Sequence, residues 1–451
     1  MTERVDLAVV GAGPAGLAAA LEADRLGLAV ALIDEQPAPG GQIWRGVERA
    51  QAAATLGGDY LAGRAEAARL RASRVRYLPG TTLWHLDPDG DLSLAHGGRT
   101  ARLAARRVVL ATGALERPVP IPGWTLPGVM TAGAAQILLK TAAAVPAGPT
   151  VLAGQGPLLW LVAQQLAAAG APPAAILETR RTGTAAAALA HLPGLWRGRA
   201  WALKGLAMMR AVARAGVPVI RGVRGLRAEG TDRLERVVWD GGSRAAATLL
   251  LHEGVIPNVQ IPLALGLAHD WDEAQLCWRP RIDAFGASSA ERIAIAGDGA
   301  GIGGWQAARA QGRLAALDAA HRLGRIDRAR RDAEAGPLLA ERARALAIRP
   351  FLDALYRPPP EVLTPPDATI VCRCEEVTAG QVRQAARLGA TGPNQAKAYL
   401  RCGMGPCQGR LCGPTVAALI AAERGIAIAE AGSYRPRAPY KPLTVGELAH
   451  G

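Results

Sequence analysis

The chain has 451 residues, half of them apolar, and a formal net charge of +14, enough length for about three domains with no shortage of core. Only four of the 52 basic residues are lysine, and the arginines are dispersed with no stripe of interleaved aromatics; this argues against nucleic-acid binding and leaves, at most, attraction of an acidic partner. No stretch reaches the roughly twenty uninterrupted apolar residues of a membrane span, and Met1 leads almost directly into a first strand, so a soluble cytoplasmic protein is expected.

The first element is a short apolar strand over Val5–Val10. The turn Gly11-Ala12-Gly13-Pro14-Ala15-Gly16 follows it, then helical periodicity over Leu17–Leu26 and a second strand, Ala29–Ile33, ending at Asp34-Glu35. That order makes a complete βαβ unit. The glycines permit a tight turn, close approach of backbone to a pyrophosphate and helix-to-strand packing, and the helix N-terminus stabilises phosphate charge. Asp34, eighteen residues beyond Gly16, stands where a carboxylate accepts both ribose hydroxyls. A merely structural turn would need no such acid in register.

Pro39-Gly40-Gly41-Gln42-Ile43-Trp44 comes next, and Val108–Leu110 is a buried strand running into Ala111-Thr112-Gly113-Ala114. A second nucleotide unit is expected from Pro149, with the turn Gly154-Gln155-Gly156, a helix over Leu158–Ala169 and a strand over Ala174–Leu177 ending at Glu178. Leu159 replaces its third glycine, which puts nucleotide binding there in doubt, while Glu178 would favour NAD over NADP in an occupied site. The stretch from Arg180 to Gly216, with Trp196 and Trp201, has helical apolar spacing and reads as a packing or interface helix, contact with a membrane surface being the second reading. Gly254-Val255-Ile256-Pro257-Asn258 marks the crossing back. Ile293–Ala296 with Gly297-Asp298-Gly299 then repeats the pattern of apolar strand, glycine turn and carboxylate.

Arg325 to Arg349 is expected to be a solvated helix, and Pro358–Pro360 with Pro365-Pro366 a stiff linker. Five of the six cysteines follow, as Cys372, Cys374, Cys402, Cys407 and Cys412. Neighbours such as Cys372 and Cys374 rarely bridge one another, which disfavours disulfides. Structural zinc and an iron–sulfur cluster each take four thiolates. The one-residue gap between Cys372 and Cys374 is shorter than the roughly two to four residues of zinc knuckles, and Gly403, Gly405 and Gly409 suit backbone hydrogen bonds to cluster sulfurs; spacing alone leaves both metals open, with iron favoured. The tail, Tyr434 to Leu448, is expected to be extended and to lie across a neighbouring domain or subunit. Cys277 is the single cysteine upstream and the seven histidines are scattered, so neither a redox-active disulfide nor a general base stands out.

The three glycine-bearing pieces in this order resemble the two-dinucleotide-binding-domain flavoproteins. The resemblance implies an α/β fold with two Rossmann-like domains, the second inserted in the first, plus a small helical C-terminal [2Fe-2S] domain. Residues 1–142 and 280–325 would form the FAD domain and 145–275 the NAD-like insert. The linker would span 326–367, the cluster domain 368–425 and the tail 426–451. FAD would be held by Gly11, Gly13, Pro14, Ala15, Gly16, Asp34, Glu35, Gly41, Gln42, Thr112, Gly113, Gly297 and Asp298. Gly154 and Gly156 would face NAD or another adenine nucleotide.

The segment Cys372–Pro414 resembles the [2Fe-2S] domain of bacterioferritin-associated ferredoxin. More closely, it resembles the C-terminal domain of the alpha subunits of octopine and nopaline oxidases, D-hydroxyproline dehydrogenase and the second subunit of hydrogen cyanide synthase. Related domains with the ending seen at Met404–Cys412 often lack a cysteine at the position of Cys402, so the resemblance assigns Cys372, Cys374, Cys407 and Cys412 as ligands. It further implies an electron-transferring subunit beside an FAD-containing beta subunit of the amine-oxidase kind. That beta subunit would oxidise the C–N bond of an opine, hydroxyproline or glycine. A small third subunit, with a further flavin at the subunit interface and a quinone or ferredoxin-like acceptor, belongs to the same expectation. The alternatives are a self-contained NAD(P)H oxidoreductase and a zinc-stabilised module on an inactive flavoprotein scaffold.

Overall fold

The computed structural model describes residues 3–49 and 53–449, the side chains of 53 and 54 aside. Met1 and the last two residues of the expected tail lie outside the described residues. Among those described, a seven-stranded sheet is built around strand Glu3–Val10, which pairs in parallel with Val30–Ile33 on one side and with Arg99–Leu110 on the other. Strand Ile293–Ile295 joins the far end of Arg99–Leu110 in parallel, with Ile293 opposite Val108. The chain therefore leaves this sheet at Leu110 and returns to complete it. Helix Pro14–Arg25 covers one face and packs along the 18-residue helix Trp305–Arg322. Small residues set that approach: Ala15, Ala19 and Ala23 meet Ala315 and Ala319 in the core, and a Cβ on Gly312 would run into the Ala15 carbonyl.

The second unit is a five-stranded parallel sheet in the order 219–221, 175–178, 150–155, 248–253, 129–131. Its last strand, Val129–Thr131, and the helix Ala132–Ala142 come before the expected boundary at 145; Ala132 and Ala135 are buried against Leu152, Leu159 and Ile176. Leu159 is fully buried in this core, so a leucine in the third-glycine position contributes packing between helix Pro157–Ala168 and the sheet. The Arg180–Gly216 stretch folds as three helices, Thr184–Leu189, Leu192–Arg197 and Arg199–Arg214. Met208 and Val212 face inward, while Leu189, Trp196 and Leu203 are left exposed.

The charged segment is helical over Arg328–Leu346, with Asp327 capping its start by accepting from the Arg330 amide. It is solvated on one face only, because Ala335 and Leu338 join the first unit's core. The proline-rich linker also packs inward, Val362 entering the second unit's core. A small domain follows: the hairpin Ile370–Cys372 with Val377–Thr378, then helices Ala379–Arg387, Pro393–Leu400 and Gly413–Arg424 around Val382, Val416, Leu419 and Ile420. Thr378 and Gln381 form a capping box at the first of these helices, which satisfies two otherwise orphaned amides. The expected extended tail begins instead with a short helix, Ile428–Ala431, packed on this domain's core, and is then irregular until a second at Val445–Ala449. No helix among the described residues is long and apolar enough to cross a membrane.

Candidate cofactor sites

The first βαβ unit opens onto a cavity of about 1090 Å³. Twelve of the expected nucleotide residues lie on its wall: Gly11, Gly13, Pro14, Ala15, Asp34, Glu35, Gly41, Gln42, Thr112, Gly113, Gly297 and Asp298. Gly16 lies behind it, where a Cβ would collide with the Gly11 carbonyl. This is the glycine that lets the helix sit close on the strand. Gly11 has φ +103 and Gly41 φ +58, backbone that glycine adopts without strain. Helix Pro14–Arg25 begins at Gly13 with no side chain capping it, so its first amides are free for an anion.

Two carboxylates organise the cavity. Asp34 Oδ2 accepts from the Ala12 amide at 2.5 Å and Oδ1 from Gln36 at 2.7 Å, and burial raises its pKa against the pull of those two amides. Asp298 Oδ1 accepts from Gly303 at 2.9 Å and Gly304 at 3.1 Å, and it too is raised by burial. Asp298 thereby fixes the turn that opens helix Trp305–Arg322, and Gly304 of that turn, with Trp305 and Ala308 of the helix, lines the cavity. Across from it, Trp44 is fully buried, stacks obliquely on Trp305 with centroids 5.6 Å apart and donates to Asp59 O at 2.9 Å. The volume, the amide-bearing helix start and the ribose-position carboxylate fit a flavin dinucleotide.

In the second unit, Gly154 has φ +132 and would drive a Cβ into the His252 backbone, while Gly156, φ +103, opens helix Pro157–Ala168. Neither glycine lies on the large cavity's wall. Gln155 between them donates to the linker carbonyl of Arg357 at 2.9 Å. Glu178 is buried, with Arg180 and Arg221 each 3.4 Å away.

The five C-terminal thiols fall into two groups. Cys372, Cys402 and Cys412 are buried with their sulfurs all within 4.8 Å of one another, and Cys374 Sγ lies 3.8 Å from Cys407 Sγ. Cys402, the residue that the resemblance leaves spare, thus stands in the same group as Cys372 and Cys412. Hydrogen bonds from the Cys402 and Cys412 thiols, aided by the Gly403 and Glu375 amides, hold the Cys372 thiol far below its usual range. Their bonds to Cys372 in turn raise the Cys402 and Cys412 thiols, and burial raises that of Cys374; what fits an iron–sulfur cluster is the donor set, five thiols without disulfide partners in one small domain. The glycines here also serve packing: a Cβ on Gly405 would strike Cys374, and one on Gly403, whose amide reaches Cys372, or on Gly409 would strike the Tyr434 ring. Cys277 is buried and without a disulfide partner, and burial pushes its thiol up to about 12.

Several residues in the flavin cavity, or bonded to its wall, were not legible in the sequence. Lys140 is buried and donates to Gln42 O and to Gln136 Oε1, each at 2.9 Å. Its rarity, as one of four lysines, is the one signal that could have marked it. Asn258 donates its amide to Gly113 O at 3.0 Å and lines the cavity. Cys407, Arg410 and Leu411 of the cysteine-rich domain stand on the same wall, and Tyr440 and Lys441 of the tail do as well.

Comparison with known proteins agrees with this construction. Residues 5–312 match the pyridine nucleotide-disulphide oxidoreductase family and residues 370–422 the BFD-like [2Fe-2S] binding domain. The chain is 45% identical to an opine oxidase subunit of Rhizobium meliloti (strain 1021) over 98% of each chain. It is 34% identical to hydrogen cyanide synthase subunit HcnB of Pseudomonas aeruginosa over 96% of each. Among solved structures it is similar to L-proline dehydrogenase from P. horikoshii, with a TM-score of 0.71 at 20% identity, covering 99% of this chain and 80% of that one.

Proposed function

The chain belongs to the pyridine nucleotide-disulphide oxidoreductase family, and from that premise we propose that it is the electron-transferring alpha subunit of a heteromeric amine or imino-acid oxidoreductase of the opine oxidase type. The observation that carries this reading is the shared wall. Cys407, with Arg410 and Leu411, lines the cavity that also holds Gly13, Asp34 and Asp298. FAD accepts electrons in pairs and releases them singly, and a [2Fe-2S] cluster carries one at a time. Here the chain's own residues do the positioning. The amides at Gly13 and the carboxylates Asp34 and Asp298 orient the dinucleotide, and the Cys407–Leu411 loop keeps the thiolate site against it.

Oxidation of the substrate C–N bond is assigned to a partner subunit with its own flavin; a further flavin at the interface and a small third subunit belong to the same proposal. Exposed Leu189, Trp196 and Leu203, in a stretch with no acidic residue between Glu178 and Glu229, offer such a partner an apolar, basic face. The second unit is read as having no part in electron input, because Gln155 is committed to Arg357 and Glu178 to its two arginines. Purification from the native host tests the assignment. The expected result is a co-purifying flavoprotein whose complex reduces an artificial dye with opines, D-hydroxyproline, proline or glycine. NADH is expected to leave the flavin absorbance of the isolated chain unbleached; rapid bleaching would sink the proposal.

A further inference from the structure

The C-terminal tail reaches two places that the sequence separates widely. On the cluster side, the Tyr434 ring lies on Gly403 and Gly409. Gln408, next to Cys407, accepts from the Arg437 amide at 2.9 Å and donates to Pro439 O at 2.6 Å. On the flavoprotein side, Tyr440 is buried; its amide donates to Trp84 O at 2.8 Å and its hydroxyl to Leu86 O at 3.2 Å. Gln260 Nε2 donates to Tyr440 O at 3.1 Å. Lys441 Nζ then lies 3.0 Å from Glu35 Oε2, beside the ribose-position Asp34. Both Tyr440 and Lys441 stand on the wall of the large cavity.

We infer that the tail is part of the flavin site: Tyr440 pins it to the strand Thr82–Leu86, and Lys441 supplies a cation at the cavity's adenosine end. The phosphate-binding turn of the first unit brings no basic side chain of its own between Gly11 and Gly16. The ammonium, 3.0 Å from Glu35, offsets a carboxylate charge on this wall that would otherwise repel an anionic dinucleotide. Because the same tail grips Gln408, cofactor retention and the placing of the cysteine loop are joined through one short segment. Ion pairs of this exposure are individually weak, so the Tyr440 anchor carries most of the effect.

This inference rests on FAD occupying the first unit, and the experiment separates the two. The full chain is purified, stripped of flavin and titrated with FAD by fluorescence quenching, alongside Tyr440→Ala, Tyr440→Phe, Lys441→Ala and Lys441→Glu. Failure of the unaltered chain to bind FAD overturns the first-unit assignment itself. With that binding in hand, Lys441→Glu is expected to raise Kd about fivefold and Tyr440→Ala about tenfold or more, tenfold corresponding to about 1.4 kcal/mol. Iron per chain is expected to stay unchanged in each variant. Tyr440→Phe and Lys441→Ala give smaller shifts in the same direction and keep the test alive if Tyr440→Ala does not fold. Kd values within twofold of the unaltered chain in both lysine variants and in Tyr440→Phe would overturn the inference.

Discussion

The ammonium of Lys140 donates to the carbonyl of Gln42 at 2.9 Å, tying the helix Ala132–Ala142, which packs in the second unit, to the loop that wraps the first unit's cavity. Burial, with Arg45 nearby, brings its pKa down to about 7. Between that value and the roughly 10.4 of an unfolded lysine, the unfolded chain keeps a proton that the native one has lost. This group therefore adds stability as pH rises through that window. Lys140→Met removes the dependence: the melting temperature of the unaltered chain, taken relative to this variant, is expected to climb from about pH 7 to about pH 9.5. A pH-independent difference would contradict it.

The middle and third glycines of the first βαβ turn are expected to fail differently. A Cβ on Gly13 meets nothing nearer than Gly41 Cα at 3.7 Å, whereas one on Gly16 strikes the Gly11 carbonyl. Gly13→Ala is expected to leave the melting temperature of the flavin-free chain in place and weaken FAD binding about tenfold or more, a loss of about 1.4 kcal/mol. Gly16→Ala is expected to cost the fold itself about 1–3 kcal/mol, the usual penalty of overpacking. Chemical denaturation and flavin titration of the two variants distinguish the losses.

Five thiols compete for four places. With Cys372, Cys374, Cys407 and Cys412 proposed as ligands, Cys412→Ser is expected to abolish bound iron and the reduced-state EPR signal, and Cys402→Ser to keep both. Iron lost in Cys402→Ser but retained in Cys374→Ser would instead move the site to the buried trio around Cys372.

Leu159 offers a stability measurement. Because it is fully buried among Leu152, Trp160 and Ile176, Leu159→Ala is expected to destabilise the chain by about 2–5 kcal/mol through cavity formation. A neutral outcome in denaturant unfolding would mean that the helix can settle onto the sheet and close the gap.

What the sequence made legible was local. The Gly11–Gly16 turn, Asp34, the Gly297-Asp298 pair and the cysteine spacings each announce themselves within a few residues, because tight turns and thiolate clusters restrict residue type at fixed intervals. Contacts made across the fold left no such mark. Val129–Thr131 is a three-residue strand that only its pairing with Leu249–Leu251 reveals. Arg410, Tyr440 and Lys441 reach the cavity, and Lys140 reaches Gln42 and Gln136 on its wall, from elements whose own periodicity says nothing of it. Cys402 was legible as a thiol but not as a neighbour of Cys372, since that depends on how the chain turns at Arg401, φ +57.

Because Ile293–Ile295 pairs with Val108–Leu110, the order of synthesis matters for this protein. The edge at Val108–Leu110 emerges from the ribosome with its outer neighbour still untranslated, and at roughly 5–20 residues per second the wait is on the order of ten seconds or more. During that interval an apolar, hydrogen-bond-hungry strand edge is open to mispairing, while the second unit, encoded in between, has time to fold as a body of its own. The nascent chain is thus most vulnerable to aggregation after its first nucleotide turn has formed and before Asp298 has been made.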